Sequence, residues 1–163
     1  MKRMLWVVLC VTLTGCDYTV PLVKSPGTDM DRSVIGRWQR SEADGQTESL
    51  LVLPFNKREY MVCYPAGSDD AMFARASLWH GDGMTLVQLD WFGTARGSLP
   101  DDNRTFQFVA YAVDGERLTV RLLNPEVVDK DVASAEDLAQ ALDVNRDDPA
   151  LFRSEMVFAK VHD

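Results

Sequence analysis

The stretch "TFQFVAYAVDGERLTVRLL", residues 105–123, alternates apolar and polar side chains on both sides of Asp114-Gly115. A period of two is the pattern of a strand with one buried face. Asp-Gly between two such runs is a hairpin signal. The pattern also sets the register. Leu118, Val120 and Leu122 face a core, and Arg117, Thr119 and Arg121 face water. A chain that contains this hairpin must find a second apolar surface to cover it.

Further runs of the same kind supply that surface. "SLLVLPF" and "REYMVCY" flank a short turn at Asn56-Lys57, and "FARASLWH" and "MTLVQLDWF" flank Gly81-Asp82-Gly83. Gly97 to Arg104 holds Pro100, Asp101, Asp102 and Asn103, all turn formers. The period then changes. Ser134 can cap a helix, with Asp137 three residues on, and Ala135, Leu138, Ala141 and Leu142 recur at helical spacing. This predicts a helix over 135–144 that ends at Asn145. Asp148-Pro149 can start one further turn, and "SEMVFAKV" is a last strand. About seven strands are expected. Antiparallel strands with one buried face need closure or a second layer, and one short helix cannot cover a broad sheet. The expected fold is therefore mainly β: an antiparallel meander closing into a small barrel or a strongly curled sheet, with one C-terminal helix and a final strand.

The N-terminus has a separate logic. "MKRMLWVVLCVTLTGC" begins with Lys2 and Arg3, followed by an apolar run from Met4 to Leu13. The run is shorter than the roughly 20 residues a helix needs to span a bilayer, and its flanks suit a secretory signal. Leu13-Thr14-Gly15-Cys16 resembles the lipobox of bacterial lipoproteins. The resemblance implies cleavage before Cys16 and acylation of the Cys16 thiol, so that the protein is held to a membrane by lipid. The expected divisions are a signal peptide at 1–15, a lipidated N-terminus and tether at 16–33, and a single β-rich domain at 34–163. The apolar side chains of Val20, Leu22 and Val23 allow part of the tether to lie along the domain. Cleavage leaves 148 residues, with 15 basic against 25 acidic, a formal −10. That charge repels nucleic acid and anionic headgroups. The implied location is the periplasmic face of a bacterial envelope. Asp17 after Cys16 resembles an inner-membrane retention signal of enteric-type bacteria, although inner and outer membrane both stay open. Of the three cysteines, Cys10 leaves with the signal and Cys16 takes lipid, so Cys63 remains and reads as a small buried strand residue.

Gly36-Arg37-Trp38 in "VIGRWQR", followed by a meander, a late helix and one more strand, resembles the lipocalin and lipocalin-like (calycin) group. In that group a Gly-x-Trp on the first strand lets chains cross closely and plugs the closed end of a barrel. The resemblance implies a calyx for a small apolar ligand. It also implies an arginine packed on the tryptophan, for which Arg121 is the candidate here. The chain departs from the group in strand number and in lacking a Thr-Asp-Tyr motif. It equally resembles small envelope lipoproteins with a β-meander.

No pattern of catalysis stands out. Gly-x-Ser-x-Gly, phosphate-loop and dinucleotide fingerprints do not occur. The histidines are His80, at a hairpin corner, and His162. No Cys/His spacing suits zinc, and the paired aspartates lie in turns without the calcium-loop pattern. No cofactor or metal is implied. Aromatic residues on strands are the remaining lead: Trp38, Tyr60, Tyr64, Trp79, Trp91, Phe106, Phe108 and Tyr111 either line a calyx or fill a core, with Trp38, Trp79, Trp91, Phe106, Phe108 and Tyr111 the candidate ligand contacts. If Cys63 faces inward, then Tyr60 and Tyr64 face outward. The expectation is a non-enzymatic, membrane-anchored lipoprotein that binds a small apolar ligand or an envelope protein. The alternatives are a filled-core accessory subunit of an envelope complex and a hydrolase built around His80.

Overall fold

The computed structural model describes residues 17–81, 83–97 and 103–162. Cys16 and the leader before it lie outside the described residues. Eight antiparallel strands close into one barrel in simple sequence order. They are β1 (Gly36–Ser41), β2 (Thr47–Pro54), β3 (Glu59–Tyr64), β4 (Met72–Gly81), β5 (Met84–Thr94), β6 (Phe106–Asp114), β7 (Arg117–Leu123) and β8 (Phe152–Lys160). One helix, α1 (Ala135–Val144), lies between β7 and β8, and a 3-10 turn at Arg32–Val34 precedes β1. The extra strand beyond the expected seven is β1 itself, which carries Gly36-Arg37-Trp38.

The β6–β7 hairpin has the expected faces, with Leu118 and Leu122 buried and Arg117 and Arg121 exposed. Its turn falls at Gly115-Glu116, where Gly115 takes φ +58°, open to glycine at no steric cost. Ser134 caps α1 by accepting from the Asp137 amide, and α1 runs over the expected residues. Asp148 starts the expected further turn. Its carboxylate takes the Ala150 amide and its carbonyl takes the Leu151 amide, which makes a single turn leading into β8.

Two apolar cores result. One fills the barrel and includes Trp38, Val52, Tyr60, Val62, Ala76, Trp91 and Phe158. The other lies outside the wall, where Leu138 and Leu142 of α1 pack with Tyr18, Leu86, Phe108, Leu123 and Leu151. Burying each of those two leucines contributes about 1.5–3 kcal/mol, which is what holds α1 to the barrel.

The segment expected as a tether is bound along the wall. Tyr18 is fully buried and exchanges backbone hydrogen bonds of 3.1 Å with Phe106. The amides of Leu22 and Val23 donate to Gln88 Oε1 at 2.7 and 2.8 Å, and Gln88 Nε2 donates to the Val23 carbonyl at 3.0 Å. Met30 N–H donates to the Lys57 carbonyl at 3.0 Å. This strap runs from one end of the barrel to the other and ends in the 3-10 turn.

Candidate functional site

Inside the barrel the inward side chains of β4 shrink to Ala74 and Ala76 while those of β3 and β5 stay large. Small residues opposite bulky ones leave a gap. A cavity of about 130 Å³ occupies it, lined among others by Val52, Tyr60, Tyr64, Ala76, Trp91 and Tyr111. The walls are almost wholly apolar, with the Gln107 amide and the tyrosine hydroxyls as exceptions.

Each end of the cavity is tied by tyrosine hydroxyls. Tyr60 and Tyr64 share the inner face of β3, four residues or about 13 Å apart along the strand. At the lower end, Tyr60 O–H donates to the Asp31 carbonyl at 3.0 Å and Tyr111 O–H to Asp31 Oδ2 at 3.1 Å. Trp38 Nε1–H donates to the Val34 carbonyl at 2.8 Å, which fixes the 3-10 turn as a plug. Burial pushes the Asp31 carboxyl up, but bonds from the Ser33 hydroxyl and amide and from Tyr111 outweigh it and hold the group below its ordinary range. Burial lifts Tyr60 to about 12, and it lifts Tyr111 too, helped by the Asp31 charge.

At the upper end Tyr64 O–H donates to Glu48 Oε2, and Arg40 donates to the same oxygen from Nε at 3.0 Å and from Nη2 at 2.7 Å. Arg40 also pairs with Glu42 and lies 5.7 Å from the Phe158 ring centre. Burial pushes the Glu48 carboxyl up, yet the bonds from Tyr64 and Arg40 hold it below its ordinary range. Tyr64 is raised by burial and by its bond to Glu48, so it stays a neutral phenol. One guanidinium thus faces two carboxylates. The formal charge of the group is −1, and an incoming carboxylate meets repulsion there.

The aromatic residues singled out by sequence divide between the two cores. Trp91 and Tyr111 line the cavity. Trp38 belongs to the same inner core, above the plug. Trp79, Phe106 and Phe108 point outward, and they pack in the outer core with α1 and the strap. The tyrosines of β3 face inward, which corrects the arrangement with Cys63 inside: Cys63 is on the outer face, beside Leu51 and Phe73 in register, and still only 8% exposed. Arg121 does not reach Trp38. It stacks on Phe152 at 5.5 Å, while Lys160 Nζ lies 5.1 Å from the Trp38 ring.

Sequence reasoning missed Asp31, Arg40 and Glu48, and it placed Tyr60 and Tyr64 outward on the condition that Cys63 faces in. Alternation in "EYMVCY" does put Tyr60, Val62 and Tyr64 on one face, but the apolar Cys63 competes for the inside. Arg40 and Glu48 are direct cross-strand partners, visible only once the β1–β2 hairpin is known.

Among the described residues no group of three or more His, Cys, Asp or Glu side chains is placed to hold a metal. His80 contacts the Thr85 hydroxyl at 2.7 Å and His162 the Glu116 carboxylate at 2.6 Å, both on the surface. No described helix is long and apolar enough to cross a membrane. In comparisons with known proteins, no family model, curated protein or solved structure matches the chain. The site's own geometry must therefore carry the functional reading.

Proposed function

We propose that this protein is a lipid-anchored component of a bacterial envelope whose barrel holds one slender, uncharged apolar molecule. The observation that carries the reading is the apolar cavity between the two tyrosine clusters. Its 130 Å³ is close to the roughly 150 Å³ of a dry cavity that accepts benzene and well under the roughly 300–1,000 Å³ of drug-sized pockets. It suits a single ring or a short length of hydrocarbon chain. The Gly36-Arg37-Trp38 tripeptide on β1 supports kinship with lipocalin-like barrels, and the Leu13-Thr14-Gly15-Cys16 sequence supports the lipid anchor on Cys16. The hydroxyls of Tyr60, Tyr64 and Tyr111 at the cavity ends are all hydrogen-bonded, an arrangement suited to retention rather than to bond making.

The test is ligand-observed NMR titration and thermal shift of the domain from Asp17, which retains the strap, with benzene as probe. Saturable one-to-one binding, weakened by filling the cavity, is expected. Absence of binding to a folded domain sinks the proposal. A second reading has one observation in its favour: Leu53 and Phe55, 43% and 51% exposed, neighbour each other at the β2–β3 turn. In an accessory subunit that patch meets a partner protein.

A further inference from the structure

The point where the chain enters the fold is tightly determined. The Asp17 carbonyl accepts from Arg104 Nη1 at 2.9 Å, and the Asp17 carboxylate lies 3.5 Å from Arg153 Nη2. Tyr18 follows, fully buried, with its hydroxyl donating to the Val128 carbonyl at 2.8 Å and its ring 5.2 Å edge-on from Phe108. These partners belong to one end of the barrel. Phe106 begins β6 and Phe152 begins β8, so both stand at the upper rim. The β2–β3, β4–β5 and β6–β7 turns form the opposite end. Tyr64, Glu48 and Arg40 close the cavity on the same upper side as Asp17, whereas the 3-10 plug sits below.

Cys16 is joined to Asp17 by one peptide bond, so their Cα atoms are about 3.8 Å apart. Had residues 17–30 been free, they could extend roughly 45 Å and let the domain tumble at any angle. The strap removes that freedom. We propose that the acyl anchor docks the barrel rim-first, with the upper end resting on the lipid surface and the plugged end pointing into the aqueous space. This rests on the lipid-anchor reading above. The cavity end that carries Tyr64 then faces the bilayer, which is a reservoir of slender apolar molecules. Phe92, 54% exposed, projects from the upper end of β5 beside the strand that binds Tyr18. An exposed phenyl ring there offers apolar area that can be buried at a lipid interface. The net acidity of the domain makes the contact depend on the anchor and on apolar groups, not on attraction to anionic headgroups.

The two ends differ enough to be measured. A nine-residue strand such as β6, tilted as in a small barrel, spans roughly 20 Å along the axis. Full-length acylated protein is placed in phosphatidylethanolamine vesicles carrying brominated acyl chains. Fluorophores are attached at Phe92→Cys or Arg96→Cys on the rim, and at Lys57→Cys or Glu116→Cys at the far end, in a Cys63→Ala background. The paired positions guard against one variant that fails to fold. Quenching at the rim positions is expected to exceed that at the far positions several-fold. A flexible Gly-Ser insert of about 20 residues between Cys16 and Asp17 should erase the difference. Equal quenching at both ends in protein whose intact mass shows the acyl gain overturns rim-first docking and leaves the anchor standing. A difference that survives the insert overturns the role of the strap. An intact mass without acyl groups defeats the anchor reading, and the docking with it.

Discussion

Replacing Ala76 with leucine tests whether the barrel interior is vacant. Ala76 is 2% exposed and lines the cavity from β4, opposite Leu89 and Tyr60 in register. Leucine adds three carbons. At about 0.8 kcal/mol per buried methylene the added contacts stabilise by about 2.4 kcal/mol. Loss of rotamer freedom offsets about 0.5–1 kcal/mol of this, leaving about 1.5–2 kcal/mol. For a domain of this size, at roughly 2–4 °C per kcal/mol, the Tm rises by about 3–8 °C. The same three carbons occupy the ligand's place, so benzene affinity should fall by about tenfold or more, equivalent to about 1.4 kcal/mol. Thermal unfolding and probe titration on the same preparation read both effects. If the interior were already filled, overpacking would lower stability by about 1–3 kcal/mol. A lowered Tm with probe binding unchanged would refute the cavity argument.

Gly36 takes φ +137°, and an added Cβ would sit 3.3 Å from Lys160 Cε. The lysine can move but the backbone angle cannot, so Gly36→Ala is expected to destabilise by about 1–3 kcal/mol in urea unfolding. All four tyrosines are raised above their ordinary value of 10.0, chiefly by burial, with Tyr60 at about 12. Raised acids stabilise the fold at lower pH, and that contribution is lost as pH climbs from 10 through the folded values. Ultraviolet titration should therefore show little tyrosinate between pH 10 and 12 until the barrel unfolds, and a normal titration near 10 while it stays folded would contradict the buried hydroxyl clusters. Glu48 is shifted the other way, below its ordinary 4.5, so its contribution is present above pH 4.5 and lost as pH falls through the lowered value. Glu48→Gln should be less stable than the parent at neutral pH, with the gap closing in acid. A gap independent of pH would mean that the Glu48 charge is not what the cluster uses.

The barrel was legible because period-two alternation acts locally, and each hairpin from β2 to β7 carries its own turn chemistry. The helix was legible for the same reason: Ser134, Asp137 and the leucine spacing all lie within a short window. What escaped depends on long-range geometry. Trp79, Phe106 and Phe108 look like calyx residues because aromatics favour strands, but a strand has two apolar faces when α1 and the strap cover its outside. Val20, Leu22 and Val23 suggest that the strap can lie along the domain, but not where, because its pairing partners, Gln88 and Phe106, are remote in sequence and its own residues have no period. Asp31 looks like one more turn aspartate until closure brings Tyr60 and Tyr111 to it.

The seam between β1 and β8 explains why the polar cluster sits where it does. Among the described residues the two strands share register only at Trp38 with Lys160 and Gln39 with Ala159, with one more bond from the Val161 amide to the Arg37 carbonyl at 2.9 Å. Past Gln39 the strands part, and backbone groups no longer hold the wall shut. Arg40 is the first residue beyond the pairing. Its guanidinium reaches back over the Phe158 ring of β8 while its charge is fixed by Glu48 of β2 and by Tyr64 of β3. A single side chain therefore links both sides of the gap. Removing it leaves Glu48 part-buried without its cation, a loss that grows with desolvation. The cluster that sets the polarity of the cavity's upper end is thus also the clasp of the barrel, and a ligand that disturbs it must loosen the seam to enter.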